Sequence, residues 1–169
     1  MSILQNIYDQ VGQKAPKRKY RDALFSILGE YQEPEYDDSA SFGEVSNGVD
    51  AGDMYFFSYQ ATKPEKLKYY DIYPLTYIIN VNKDGFMGAN MHYLKPKLRE
   101  AVASSLINNA DGVIVPNSTI HRYYFEGVQS QIMKVPESEM ADVSMLPVEE
   151  FIDTKIGTQY PSYKVWRVG

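Results

Sequence analysis

Apolar residues fall on one helical stripe at Ile3, Leu4, Ile7, Tyr8 and Val11, which predicts an amphipathic helix over residues 2–12 ending near Gly12. A second stripe, Tyr20, Ala23, Leu24, Ile27 and Leu28, follows Pro16, and Gly29 is placed to stop it. Residues 30–50 then lose the periodicity. They hold seven acidic residues and no basic one, with Pro34, Gly43 and Gly48 interspersed. That composition predicts a solvated linker, or an arm that orders on binding.

From Gly52 the pattern shortens to that of strands. "DMYFFSYQ" and "PLTYIINVN" are rich in aromatic and β-branched residues, and "ATKPEKLKYYDIY" between them is a polar, tyrosine-rich loop. "NKDG" carries turn chemistry, with Asp84–Gly85 supplying the positive φ of a tight hairpin, so "FMGANMHYL" is expected to pair back on "PLTYIINVN". Gly88 marks a bulge or a close backbone approach. A helix is expected to follow, with Pro96 in its first turn and Leu98, Val102, Ser105 and Leu106 near one face.

Further along, "DGVIVP" reads as a strand or loop, "STIHRYYFEG" as a helical turn capped by Ser118 or Thr119, and "VQSQIMKV" as a strand. "PESEM" reads as a turn, "ADVSMLPV" as a core strand, "VEEFI" as a helical turn and "SYKVWRV" as a C-terminal strand or arm. β runs follow one another without crossover helices, which predicts an α+β fold. Its expected form is a small antiparallel curled sheet or partly open β-barrel, SH3-like among the options, with one inserted helix and an N-terminal helical arm. The expected divisions are an arm over 1–29, an acidic linker over 30–51 and an α+β domain over 52–169.

The 169 residues contain no cysteine, which excludes a cysteine nucleophile, zinc–thiolate sites and disulfides. The N-terminus lacks a signal-peptide pattern and no stretch reaches the length of a membrane span. The net charge of −5 weighs against a nucleic-acid-binding domain. One dense basic run remains, Lys14, Lys17, Arg18, Lys19 and Arg21, at the start of the second helix, where the helix dipole disfavours cations. An acidic partner, phosphate, or the acidic segment that follows would compensate it. The 15 tyrosines suit either contact surfaces or half-buried core positions.

Phosphate-loop, dinucleotide, nucleophile-elbow and HExxH motifs are all absent. The catalytic candidate is His92 as general base, with Asp84 or Asn90 as orienter and His121 assisting, in a small-barrel hydrolase or nuclease. Asp84 belongs to the turn and His92 to the far end of the hairpin, so the bland alternative is a structural histidine hydrogen-bonded to its neighbours. The acidic pairs Asp37–Asp38 and Glu149–Glu150 point apart and read as solvated surface rather than metal ligands. Arg122 with Tyr123, Tyr124 and Phe125 has the composition of a stacking platform for single strands, or of an aromatic structural element.

One stretch of motifs resembles a known family. Gly52, Tyr55, Phe57 and Tyr59 are followed by Leu67, Tyr69, Tyr70, Asp71, Pro74 and Leu75. Then come Asp84, Gly85, Phe86, Gly88, Asn90, His92, Tyr93, Leu94, Pro96 and Arg99, in a D-G-F-x-G-x-N-x-H-Y-L pattern. With "SMLPVEEF" and "YKVW" as closing elements, these resemble a family of small virion proteins of tailed bacteriophages over residues 52–166. "YQATKP" departs from the Y-x-P-K that usually follows the first strand, and residues 1–51 lie outside the likeness.

The resemblance implies a structural component of neck, tail or baseplate, located in the virion and in host cytoplasm during assembly. Some members carry a label for protection of DNA ends. The expected function is therefore non-enzymatic: contact with other virion proteins, and a homo-oligomer where assembly requires one, without cofactor, metal or membrane. The expected contact residues are Ile3, Leu4, Ile7, Tyr8, Tyr69, Tyr70 and Tyr73. The alternative is DNA-end binding through Lys14, Lys17, Arg18, Lys19 and Arg21, with Arg122–Tyr124 as a lesser patch.

Overall fold

The computed structural model describes residues 2–12, 14–29, 48–108 and 115–166. The two N-terminal helices form where their stripes predict, α1 over Ile3–Val11 and α2 over Lys17–Leu28. Ser2 caps α1 by accepting from the Gln5 N–H at 3.0 Å. Gly12 (φ 78°) and Gly29 (φ 67°) end the two helices in the left-handed region that glycine adopts without steric cost.

The strands are β1 (Met54–Phe56), β2 (Tyr69–Asp71), β3 (Leu75–Val81), β4 (Gly85–Asn90), β5 (Ile120–Tyr124), β6 (Met133–Val135), β7 (Phe151–Asp153) and β8 (Gln159–Tyr160). They make a five-stranded antiparallel sheet in the order β5-β4-β3-β1-β6 and a three-stranded one in the order β2-β7-β8. The expected α+β class with a small antiparallel curled sheet is found. The sheets do not close, so the barrel form, SH3-like or otherwise, is set aside.

The expected hairpin pairs β3 with β4, from Val81 opposite Phe86 to Thr76 opposite Asn90. Its turn is built differently from the expectation. Asn82 Oδ1 accepts from the N–H groups of Asp84 and Gly85, and Gly85 is not a positive-φ glycine. Glycine is needed at 85 because an added Cβ would lie 1.9 Å from the Tyr123 carbonyl oxygen. The bulge lies on β3, between Ile78 and Asn80, and Gly88 is the close approach: a Cβ there would meet Thr76 Cγ2 at 2.4 Å.

Helix α3 (Pro96–Asn108) follows as expected, but its buried positions are Arg99, Ala103 and Leu106, and Leu98 is exposed. Four expectations are corrected. Residues 120–124 form β5, not a helical turn, because all five pair with β4. "ADVSMLPV" contains a short helix α4 (Met140–Val143) in place of a strand. Phe151–Asp153 is strand β7, paired with β2, in place of a helical turn. Ser162–Trp166 is a helix, α5, in place of a strand or arm. Most of the expected linker, the pair Asp37–Asp38 and most of "DGVIVP" lie outside the described residues.

Alternation along β1 sends Met54 and Phe56 to one face and Tyr55 and Phe57 to the other. The first face packs beneath α1, α2, α3 and α4, with Ile3, Ile7, Tyr20, Leu24 and Leu28 in the same cluster as Phe56 and Leu75. The helices of 1–29 are thus part of the core, not a separate arm. Glu139 fastens the start of α1, accepting from Ser2 Oγ at 2.6 Å and from the Leu4 N–H at 3.1 Å. The second face is aromatic, centred on Phe57, Tyr59, Phe86 and Tyr123. A third cluster, Tyr93, Phe151 and Val165, joins the smaller sheet to the turn after β4.

Candidate functional site

Asp71, Asn90 and His92 meet in a buried polar network. Asp71 ends β2, Asn90 ends β4, and His92 sits in the 3₁₀ turn Met91–Tyr93 that Asn90 caps through its Oδ1 and the His92 N–H at 2.9 Å. Asp71 Oδ2 faces His92 Nδ1 at 2.7 Å and accepts from Asn90 Nδ2 at 3.0 Å. Asp71 Oδ1 accepts the N–H groups of Tyr73 and Glu150. Asn90 Nδ2 also reaches Tyr123 Oη at 3.2 Å. His92 Nε2 is buried with no partner among the described residues.

A second buried group adjoins the first. Arg99 donates from Nε to the Leu94 carbonyl, from Nη2 to the His92 carbonyl and from Nη1 to Glu149 Oε2 at 3.3 Å. Its guanidinium lies 5.3 Å from the Trp166 ring, and Trp166 Nε1 donates to the same His92 carbonyl at 2.9 Å. Lys17 Nζ binds Glu149 Oε1 at 2.5 Å, and Arg21 donates to the Glu149 carbonyl. Burial alone raises a carboxyl pKa. Here it is outweighed at Asp71 by the His92 ring and the bonds from Asn90 and Tyr73, and at Glu149 by His92, Arg99 and Lys17, so both are held below their ordinary values. Burial lowers Arg99, against the opposing pull of Glu149.

The network backs onto a pocket. Six tyrosines line it, Tyr59, Tyr69, Tyr70, Tyr93, Tyr123 and Tyr124, around a cavity of about 240 Å³. Each network residue fixes a wall: Tyr69 and Tyr70 precede Asp71, Tyr93 follows His92, and Asn90 bonds Tyr123. The rings hold one another edge to face, Tyr59 on Tyr123 at 5.0 Å and on Tyr70 at 6.5 Å. His121 lies 4.0 Å from Tyr93, and its Nε2 bonds the Ser118 carbonyl. Burial lowers the His121 pKa and raises the hydroxyls of Tyr59, Tyr93 and Tyr123. Lys63, Lys66 and Arg122 are the charged lining residues, and no carboxylate is among them.

The expected residues scatter. Ile3 and Ile7 are buried, and Leu4 and Tyr8 pack half-buried against the same cluster, so the apolar stripe of α1 is taken up by the chain's own core. Tyr69 and Tyr70 line the pocket, whereas Tyr73 packs on the helical side of the large sheet. Lys17 and Arg21 are engaged by Glu149 and Glu150, which corrects the view of Glu149–Glu150 as solvated surface, while most of the acidic linker expected to pair with the basic run lies outside the described residues. Lys14, Arg18 and Lys19 are exposed.

Asp84 is exposed in the turn while His92 is buried at the opposite end of the hairpin, so the expected Asp84–His92 pair is not formed and Asp71 takes that place. Arg122, Tyr123 and Tyr124 contribute to the pocket from β5. Sequence reasoning missed Asp71 as the partner of His92, and it missed the inward face of Arg99. The motif spacing that ties Asp71 to Asn90, His92 and Arg99 was the available signal.

Among the described residues no group of three or more His, Asp or Glu side chains is placed to hold a metal, and no helix is long and apolar enough to cross a membrane. The fold and site define an α+β scaffold with a motif-built interior and a tyrosine-lined pocket. Compared with known proteins, the chain matches no family model, no curated protein and no solved structure.

Proposed function

We propose that this chain is a structural component of a tailed-bacteriophage virion, in neck, tail or baseplate, that acts through protein–protein contacts. The observation that carries the proposal is the burial of the motif on which the family resemblance rests. Asp71, Asn90, His92 and Arg99 are at most 1% exposed, and they bond one another and the backbone. Groups so placed hold walls and turns in register. The half-exposed tyrosines beside them are the residue type enriched at interfaces. The engagement of Lys17 and Arg21 by Glu149 and Glu150 removes two of the five cations from the DNA-binding alternative.

Mass spectrometry of purified particles, with reconstitution of the chain onto particles assembled without it, tests the proposal. The expected result is a fixed copy number in particles and rebinding of the added chain. Absence from particles together with failure to rebind overturns it.

A further inference from the structure

Three features converge at one edge of the large sheet. The first is an edge strand: β5 ends the sheet order, with β4 on one side and no strand on the other among the described residues. The direction of its backbone groups follows from two bonds. The Phe125 N–H donates to the Asp84 carbonyl at 3.0 Å, on the β4 side, and the Tyr124 N–H donates to Tyr59 Oη at 3.1 Å, on the other. Residues of an antiparallel ladder alternate in the side to which both backbone groups point. Arg122 therefore directs its N–H and C=O away from β4, beside the pocket that it lines.

The second feature is size. A cavity of about 240 Å³ lies below the roughly 300–1,000 Å³ of pockets that enclose a drug-sized ligand, and it suits one large side chain. Its tyrosine walls offer edges and faces to a further aromatic ring. The third is charge. Lys63, Lys66 and Arg122 ring the cavity without a carboxylate, in a chain of net charge −5. These three cations favour an anionic ligand at the cavity, with the Asp71 carboxylate behind its walls as the opposing charge.

We propose that this edge and pocket dock an extended acidic peptide segment of a partner protein, which adds as a strand to β5 and places one aromatic side chain in the cavity. The inference rests on the protein-docking function above and names the partner's chemistry. The outward-directed N–H and C=O of Arg122 match another peptide backbone, which carries both donor and acceptor. A nucleic-acid backbone supplies acceptors to the three cations but no complement to a strand edge.

Selection of a displayed random heptapeptide library on the full chain tests the proposal. Enriched sequences are expected to combine two or more carboxylates with one aromatic residue. Lys63→Glu combined with Lys66→Glu alters two exposed positions, and it is expected to weaken the selected peptides at least tenfold with an unchanged circular dichroism spectrum. Bound peptide is expected to slow hydrogen exchange at the Arg122 amide. Enrichment of basic sequences, no enrichment, or indifference to the charge reversal overturns the proposal. So does oligothymidylate that binds more tightly than the selected peptides and is lost in the same variant. If the chain is found in particles but no acidic peptide is selected, this inference alone fails. If acidic peptides bind but particles lack the chain, the docking site stands and the virion assignment fails.

Discussion

Arg99 is among the largest fully buried side chains of the described residues, and each of its three guanidinium nitrogens has an acceptor. Removing a single partner from such a group is costly, because the desolvated charge remains. Hydropathy cannot show this: Arg99 sits in a helix pattern where Leu98 looks like the inward residue, yet Leu98 is 43% exposed. The glycines of the motif are more legible, since a glycine inside a strand signals close approach. Gly88→Ala is expected to destabilise by about 1–3 kcal/mol, as overpacking does, because the new methyl meets Thr76 Cγ2 and the Tyr77 carbonyl. Urea denaturation measures it, and an unchanged midpoint would show that β3 yields at no cost.

The carboxylates of the network set an acid limit on stability. Asp71 and Glu149 are lowered from ordinary values of 3.8 and 4.5. Groups so lowered contribute stability that is fully present above the unfolded values and is lost as pH falls through the folded ones. Unfolding free energy is therefore expected to be flat in their contribution above pH 4.5 and to fall as the pH drops below that value. Denaturation curves recorded from pH 6 to about pH 2.5 check this. In the Asp71→Asn, Glu149→Gln double variant the acid slope should shrink, and an undiminished slope would place the dependence elsewhere.

At the scale of elements, the long periodic segments were legible and the short ones were not. The stripes of α1 and α2 and the β3–β4 hairpin follow from local pattern. β5 and β7 are only five and three residues long, and they exist because partners across the sheet hold them. α4 and α5 are equally short, at four and five residues, too few for helical periodicity to be distinguished from alternation. The attachment of α1 was also hidden, since an amphipathic stripe looks the same whether it faces its own core or a partner. Ile7, with no exposed surface, decides the matter. Ile7→Ala is expected to cost about 2–5 kcal/mol in unfolding free energy, the range for a buried isoleucine. A cost below about 0.5 kcal/mol, typical of surface substitutions, would restore α1 as a free arm.

At the scale of the molecule, the α+β class was legible because strands succeed one another without crossovers, whereas the pocket was not. Its walls come from Tyr59, Tyr69–Tyr70, Tyr93 and His121–Tyr124, stretches that only the completed sheets bring together. The motif that looks most like chemistry, with its glycines, asparagine and histidine, lies behind those walls and holds them. The proposed function divides the same way, with an interior that fixes geometry and a surface proposed to meet partners. The separation depends on His92 being structural. Equilibrium unfolding of His92→Ala tests this most directly. Loss of the ring opens a cavity beside Phe56 and strips Asp71 Oδ2 of a partner, so the unfolding free energy is expected to fall by about 2–4 kcal/mol. A variant as stable as the unaltered chain, within about 0.5 kcal/mol, would contradict the account.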